Sequence, residues 1–207
     1  MEAKPTVLVV DDDSSVRHSL RLLIESAGWQ SETFASAQEF LARPRTSGAS
    51  CLLLDVFLPD INGCDLQNLL ADRPEVPIIF MSGHGDVPMT ARAMKAGALD
   101  FFTKPFANDE LLGAIRDAID RSRSALRSAE HMRALLENYA TLSPRQREVM
   151  ALIVRGRLNK QAGGELGISE ITVKAHRGNV MRKMNADSLP DLVRMADRLG
   201  SLSALKR

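Results

Sequence analysis

The sequence of 207 residues is poor in cysteine and contains no long apolar run. Its two cysteines, Cys51 and Cys64, have neither CxxC spacing nor histidines at zinc-site intervals. We therefore expect neither a disulfide scaffold nor a structural zinc site. This cysteine usage is consistent with a protein of a reducing compartment. No apolar run approaches the ~20 residues of a membrane-spanning helix, and the N-terminal stretch MEAKPTVLVV lacks the features of a signal peptide. These absences predict a cytoplasmic protein without a membrane partner.

Charge is distributed unevenly along the chain, although the whole chain has a net charge of only +1. Residues 1–122 contain 11 Lys and Arg against 18 Asp and Glu, a net charge of −7. Residues 123–207 contain 16 against 8, a net charge of +8. An acidic part joined to a basic part predicts two domains with different partners.

Short apolar runs alternate with helix-period segments over the first 120 or so residues. The predicted strands are Thr6–Val10, Glu32–Ser36, Cys51–Val56, Pro77–Ser82 and Asp100–Thr103. The predicted helices are Ser15–Ala27, Ala37–Ala42, Cys64–Ala71, Val87–Ala96 and Asn108–Arg121. Continuous apolar strands are typical of parallel sheets covered on both faces. The pattern therefore predicts an α/β fold with a doubly wound parallel sheet.

Polar residues follow four of these strands at the point where each strand ends. Asp11 and Asp12 follow the first strand, Asp55 the third, Ser82 the fourth and Lys104 the fifth. The carboxyl ends of parallel strands meet at one edge of a sheet, where ligands bind. Clustered carboxylates repel one another and require a positive partner. Oxygen ligands suit Mg²⁺, and a lysine suits a phosphoryl group, so a carboxylate here could form an acyl phosphate.

Two other interpretations compete with this one. The three aspartates could form a solvated loop that caps the helix at Ser15, but that leaves the positions of Asp55, Ser82 and Lys104 unexplained. The stretch SGHGD, which contains His84, suggests a Ser–His–Asp hydrolase. No GxSxG motif surrounds a serine, so His84 is interpreted as a loop residue near the phosphate.

Motifs in the acidic part resemble the receiver domain of two-component response regulators. VLVVDDD, LLLDVFLPDINGCDL and MSGHGDVPMTARAMKAGALDFFTKPF carry the resemblance, in order and spacing. It implies a five-stranded flavodoxin-like sheet of order 2-1-3-4-5, with Asp55 accepting phosphate from a sensor histidine kinase. It also implies that Mg²⁺ (or Mn²⁺) is held by Asp11, Asp12, Asp55 and the backbone carbonyl of Phe57.

The same resemblance assigns the residues that respond to the phosphate. Ser82 and Phe101 would be the switch pair, and Lys104 the phosphoryl clamp, with a cis bond before Pro105. Ser82 stands where threonine is common in the family, which retains the hydroxyl. Phe102 is interpreted as a residue of the hydrophobic core. For Phe101, a place in the core is the alternative to the switch role.

The basic part is predicted to be helical throughout. Residues 123–140 are interpreted as a helical linker. The later helices are predicted at Pro144–Arg155, Asn159–Leu166, Glu170–Met184 and Leu189–Leu199. Ser143 is a predicted N-cap, and the turn Gly167–Ser169 joins two helices as in a helix-turn-helix. In the helix predicted at Glu170–Met184, the residues expected on the buried side are Ile171, Val173, Val180 and Met184. Those expected on the solvent-facing side are Lys174, Arg177, Arg182 and Lys183.

This part resembles the LuxR-type DNA-binding domain of the NarL/FixJ regulators, through LSPRQREVM, NKQAGGELGIS, TVKAHRGNVMRKM and SLPDLVRMA. The resemblance implies that Lys174, Ala175 and Gly178 face bases, that Arg177, Asn179 and Arg182 meet phosphates, and that Leu189–Leu199 forms a dimer contact. Ala162, Gly163 and Gly164 depart from the family pattern, which indicates either a less stable helix or unusually close packing against a neighbour. Gly178 has no side chain with which to read a base.

The sequence as a whole predicts a receiver over residues 1–122, a linker over 123–140 and a DNA-binding domain over 141–207. It predicts a phosphorylation-controlled transcription factor that is not an enzyme toward foreign substrates. The expected partners are a sensor histidine kinase, promoter duplex DNA, RNA polymerase and, after phosphorylation, a second copy paired through the face of Val87–Ala96, the fifth strand and Asn108–Arg121.

Two alternatives remain. A Mg²⁺-dependent phosphohydrolase with Asp55 as nucleophile would need an acid–base group, and Phe57, two residues later, is inert. An RNA-binding basic part would need an aromatic stacking platform, which the aromatic content of 4% does not favour.

Overall fold

The computed structural model describes residues 4–45, 48–83 and 87–205, the last five of these by their backbone alone. The interpretation of His84 falls outside the described residues. The chain divides into two compact units, residues 1–128 and 129–207. Among the helices of the described residues, none is long and apolar enough to cross a membrane.

The first unit is a parallel sheet with helices between its strands. The strands are β1 (Thr6–Val10), β2 (Gln30–Phe34), β3 (Ser50–Asp55), β4 (Ile78–Ser82) and β5 (Asp100–Thr103). The helices are α1 (Ser14–Ser26), α2 (Ala37–Ala42), α3 (Gly63–Leu69), α4 (Val87–Lys95) and α5 (Asn108–Ala140). The strand order is β2-β1-β3-β4-β5 with every pairing parallel, which confirms the predicted fold.

Strand β2 lies two residues earlier than predicted. Gly28 at φ 87° ends the turn after α1, and Gln30 at once pairs with Thr6 of β1. The turn therefore brings the chain into the sheet before the apolar signal of Phe34 begins.

Apolar side chains alternate between the two faces of the sheet because successive strand residues point to opposite sides. One face carries Leu8, Val10, Leu52, Leu54 and Phe80, all buried against α2, α3 and α4. The other carries Val7, Val9, Leu53, Ile79 and Met81, buried against α1 and α5. With both faces covered, the strand ends are the edge at which polar groups can meet a ligand.

Helix α5 is one continuous helix of 33 residues, so the helical state predicted for residues 123–140 is confirmed, whereas the helix end predicted at Arg121 was wrong. No Gly or Pro occurs between residues 114 and 140 to interrupt it. The loss of strand signals and the change of charge sign, which suggested a boundary, do not break a helix. The buried Ser122 hydroxyl accepts the N–H of Ser50 at 3.0 Å and donates to the carbonyl of Glu75, which ties α5 to the sheet.

The second unit contains α6 (Pro144–Val154), α7 (Asn159–Leu166), α8 (Glu170–Met184) and α9 (Leu189–Leu205). The Ser143 hydroxyl accepts the N–H of Gln146, whose side chain accepts the N–H of Ser143, so the predicted cap is a full capping box. Gly167 has a φ of 67°, and Ser169 caps α8. The predicted helix-turn-helix is confirmed, and α9 continues to Leu205 rather than ending at Leu199.

Candidate functional site

The strand ends of the first unit bring one lysine and two aspartates into direct contact. The Nζ atom of Lys104, after β5, lies 2.6 Å from Oδ2 of Asp11 and 2.6 Å from Oδ2 of Asp55. Asp11 is fully buried and Asp55 is 7% exposed. Lys104 is 93 positions from Asp11 and 49 positions from Asp55 in the sequence, yet its ammonium group contacts both carboxylates. The strand-end argument predicts this meeting.

One ammonium serves two carboxylates, so the cluster retains excess negative charge. Burial raises the pKa of Asp11 above its ordinary value, against the lowering effects of Lys104 and the Asp13 backbone N–H, while the charge of Asp55 raises it further. Burial lowers the pKa of Lys104, but its hydrogen bonds to Asp11 and Asp55 outweigh this effect and the pKa is raised. A second cation would relieve the imbalance.

The donor set at this edge fits a hard divalent cation. Carboxylate oxygens of Asp11, Asp12 and Asp55 lie within 4.8 Å of one another. Asp12 is exposed, so its carboxylate can turn toward an ion without losing a protein partner that the structure records. A donor set made only of carboxylate oxygens suits Mg²⁺ rather than zinc.

Asp13 has a different function from its two neighbours. Its side chain accepts the N–H of Ser15 at 2.8 Å and the Ser15 hydroxyl, and so caps α1. These hydrogen bonds lower the pKa of Asp13. The capping interpretation of the aspartate run is therefore correct for Asp13, whereas Asp11 lies in the Lys104 cluster.

The second oxygen of Asp55 is also held. Its Oδ1 accepts the backbone N–H of Phe57 at 2.9 Å, which places the Phe57 backbone beside the carboxylate while its ring is 50% exposed. Gly63 packs against the same segment, where a Cβ atom would lie 2.5 Å from the carbonyl oxygen of Asp55. Only glycine permits this approach, so Gly63 helps to position Asp55.

The predicted switch pair lies on neighbouring strands. Ser82 is fully buried at the end of β4, and its carbonyl accepts the N–H of Lys104 at 2.7 Å. The peptide bond between Lys104 and Pro105 is cis, as the resemblance implied. The ring of Phe101 on β5 is partly buried and stacks on Phe80 at 6.2 Å, whereas Phe102 packs on the opposite face of the sheet.

Helix α8 presents most of the predicted DNA-contacting residues to solvent. Lys174, Ala175, Gly178 and Arg182 are exposed, and Arg177 and Asn179 are partly buried. Val173, Val180 and Met184 are buried on the opposite side, as predicted. Arg182 donates to Asn179 at 2.9 Å, so these two side chains form a paired group.

Two predictions about α8 were wrong. Ile171, placed on the buried stripe, is 82% exposed. Val180 lies nine positions after Ile171, which is about two and a half helical turns, so the two side chains are on opposite faces. Lys183, placed on the open side, donates to the Thr141 carbonyl at 2.7 Å and to Gln146 at 3.0 Å. Lys183 therefore holds α8 to the start of α6.

Comparison with known proteins connects both sites to one family. The family described as response regulator receiver domain matches residues 7–116, and the luxR family of bacterial regulatory proteins matches residues 140–196. The chain is a response regulator of the FixJ type. In this response regulator the acidic cluster lies in the receiver match, and α8 lies in the LuxR-type match.

Relatives of this response regulator match over nearly the whole chain. Response regulator protein TodT of Pseudomonas putida is 48% identical over 93% of this chain and 86% of its own length. Transcriptional regulatory protein FixJ of Bradyrhizobium diazoefficiens is 40% identical over 98% of this chain and 100% of its own length. The solved structure of response regulator StyR is 46% identical, covers 95% of this chain and 100% of that chain, and has a TM-score of 0.84.

Sequence reasoning missed the surroundings of three residues at or near the two candidate sites. Gly63 was not predicted as a site residue, because its close approach to the Asp55 carbonyl depends on the fold. The sequence left open whether Ala162-Gly163-Gly164 weakens its helix or allows close packing. A Cβ on Gly163 would lie 2.7 Å from the carbonyl oxygen of Ile168, which favours close packing. Ile171 could have been recognised from its helical phase with Lys174 and Gly178.

Proposed function

We propose that this transcriptional response regulator is phosphorylated on Asp55 by a sensor histidine kinase. The observation that carries the proposal is the position of Lys104 Nζ, 2.6 Å from both Asp55 and Asp11. When Asp55 is phosphorylated, the compact ammonium group of Lys104 can bind an oxygen of the phosphoryl group. The buried hydroxyl of Ser82, on the neighbouring strand, is a second candidate donor to that group.

The chemical step is a displacement at phosphorus. A carboxylate oxygen of Asp55 forms a new O–P bond while the N–P bond to the kinase's phosphohistidine breaks, and the departing imidazole takes up a proton from solvent. The N–H of Phe57 and the ammonium of Lys104 hold the Asp55 carboxylate in one orientation before the reaction. Little covalent work remains for the protein beyond positioning and charge stabilisation.

The residues proposed to hold Mg²⁺ or Mn²⁺ are Asp11, Asp12, Asp55 and the backbone carbonyl of Phe57. The bound ion would supply positive charge to the phosphoryl oxygens. Phe57 places an exposed apolar ring, rather than an acid or base, two residues after Asp55. For this reason we propose no turnover of foreign phosphate esters.

The proposed output is binding of promoter DNA by a dimer. The phosphate would draw Lys104 and Ser82 toward it, and Phe101 could then rotate. These movements would repack the face formed by α4, β5 and α5. That face would pair with a second receiver, as the resemblance implies. Helix α8 would then read the major groove through Lys174, Ala175 and Gly178, while Arg177, Asn179 and Arg182 contact phosphates. RNA polymerase in the cytoplasm is the proposed downstream partner.

The direct test is Asp55→Asn, treated with acetyl phosphate in the presence and absence of Mg²⁺. We expect Mg²⁺-dependent phosphate incorporation in the unmodified chain and none in the variant, measured by intact mass. Asp13→Asn is the matched control, because asparagine caps a helix as well as aspartate, and it should incorporate phosphate normally. Equal incorporation in the Asp55 variant would show that the acceptor lies elsewhere.

A further inference from the structure

Ile171 is the most exposed large apolar side chain among the described residues, at 82%. It is the second residue of α8 and follows the Ser169 cap. Its β-branched side chain is no better than average for helix formation. Neither packing nor helix propensity therefore accounts for isoleucine at this position.

The helical phase of Ile171 places it with the exposed residues proposed to face bases. Lys174, Ala175 and Gly178 follow it by three, four and seven residues, which is the spacing of one helix face. All four residues are exposed. The space above Gly178 is open, since a Cβ there would meet no atom within 4 Å. An apolar side chain thus stands at the N-terminal end of a face that is otherwise basic or small.

The charge of this helix decides what kind of surface could cover Ile171. The cations Lys174 and Arg182 are exposed on α8, and the acidic residue Glu170 lies only at its first position. A purely apolar protein partner would have to desolvate Lys174 beside Ile171. A nucleic-acid duplex instead offers phosphates to the cations and, in its major groove, one apolar group, the C5-methyl of thymine.

We propose that Ile171 contacts the methyl group of a thymine in the major groove and makes α8 select that base. The proposal rests on the proposed DNA binding by α8. In a helix-turn-helix the N-terminal residues of the second helix reach the base edges, and Ile171 occupies this end. Lys174, one turn later, would then read an adjacent base, while Ala175 and Gly178 let the helix approach closely.

The experiment first selects binding sites from a random duplex pool with the phosphorylated full-length chain, then replaces each thymine by deoxyuridine in turn. Deoxyuridine removes only the methyl group. We expect one thymine position per half-site at which this change weakens binding about fourfold to tenfold. Ile171→Ala should bind the thymine duplex more weakly by a similar factor and should be insensitive to deoxyuridine at that position.

Two variants control for folding and for general exposure. Ile171→Val keeps a branched apolar side chain and should retain most of the thymine preference. Leu69→Ala removes an aliphatic side chain that is 56% exposed on α3 and should leave the deoxyuridine sensitivity unchanged. Thermal melting of Ile171→Ala should match that of the unmodified chain, because an exposed side chain contributes little to stability.

Several results would overturn the inference. Insensitivity of the unmodified chain to deoxyuridine at every position would show that no thymine methyl is read. Equal sensitivity in Ile171→Ala would assign the methyl contact to another residue. Failure of the unmodified chain to enrich any duplex would contradict the proposed DNA binding itself, and that failure is distinguishable because it precedes any substitution.

Discussion

Three consecutive aspartates at the end of β1 have three different environments. Asp11 is buried and bonded to Lys104, Asp12 is exposed beside it, and Asp13 caps α1. The difference arises because the chain turns from strand to helix within these three residues, so each side chain leaves the backbone in a new direction. The same residue type therefore differs in burial and in hydrogen-bond partners at three adjacent positions.

Lys104→Met tests the electrostatic account of the cluster. Without the ammonium, Asp11 and Asp55 remain buried with no counter-charge, and we expect a loss of about 1–3 kcal/mol in the free energy of unfolding near pH 7. The pKa of Asp11 is already raised by burial and should rise further. A carboxyl group whose pKa is higher in the folded than in the unfolded state destabilises the fold less as it becomes protonated, so the deficit should shrink as the pH is lowered from 7.

Urea denaturation of the variant at several pH values measures this deficit. Lys95→Met, which removes an exposed lysine of α4, should change stability little at any pH. Added Mg²⁺ should narrow the deficit because it supplies another cation. A deficit that is independent of both pH and Mg²⁺ would mean that Lys104 acts through packing rather than charge.

At the scale of elements, the packing of α7 against α8 depends on a missing side chain. The backbone of Gly163 faces the turn into α8, where a Cβ would lie 2.7 Å from the carbonyl oxygen of Ile168. The N–H of Ile168 also donates to the Gly163 carbonyl at 3.0 Å. Ala162, the residue before it, is fully buried. Small residues thus bring the two helices together, in agreement with the close-packing alternative.

Adjacent glycines in α7 give opposite expectations. Gly163→Ala should destabilise the second unit by about 1–3 kcal/mol, because backbone atoms must shift to admit the methyl group. Gly164→Ala meets open space and should stabilise it by about 0.5–1 kcal/mol through helix propensity. Thermal melting of both full-length variants measures the two effects. Stabilisation by both substitutions would contradict the close approach at Gly163.

At the scale of the whole molecule, opposite charges are separated between the two parts of the chain. The acidic part contains a cluster that requires cations, whereas the basic part presents cations for a polyanion. The net charge of +1 for the chain describes neither part. Association with DNA should therefore follow the local charge of the second unit and weaken with added salt.

Phosphorylation should act on DNA binding through pairing of two chains. Linking two modules makes the second contact intramolecular and can raise affinity by about 10²-fold or more. We expect this gain on duplexes with paired half-sites and almost none on a single half-site, measured by fluorescence anisotropy with and without acetyl phosphate. Asp55→Asn should show no gain on either duplex. An equal gain on both duplexes would indicate that phosphorylation uncovers α8 rather than pairing two chains.

Much of the receiver site could be predicted because parallel strands bring distant residues to one edge. Asp11, Asp55 and Lys104 meet there for that reason alone, and helix boundaries followed Ser and Gly caps. The continuity of α5 could not be predicted from charge or strand signals, because neither interrupts a helix. Ile171 was misplaced because it lies about half a turn from Val180 on the helix, which its helical phase could have shown. The anchoring of Lys183 could not be predicted, because it depends on contacts with Thr141 and Gln146 outside α8.

By itself the sequence determined the parallel sheet, the helix-turn-helix and the meeting of acids and lysine, because these follow from local periodicity and strand direction. Tertiary structure decided which α8 residues are free to meet a ligand and which glycines have a neighbour in the space of a side chain. These features depend on contacts between elements. A rotation of α8 by one residue would change which side chains are exposed, and a shift of a few tenths of an ångström would change whether a glycine has a close neighbour. Neither change would alter a sequence pattern.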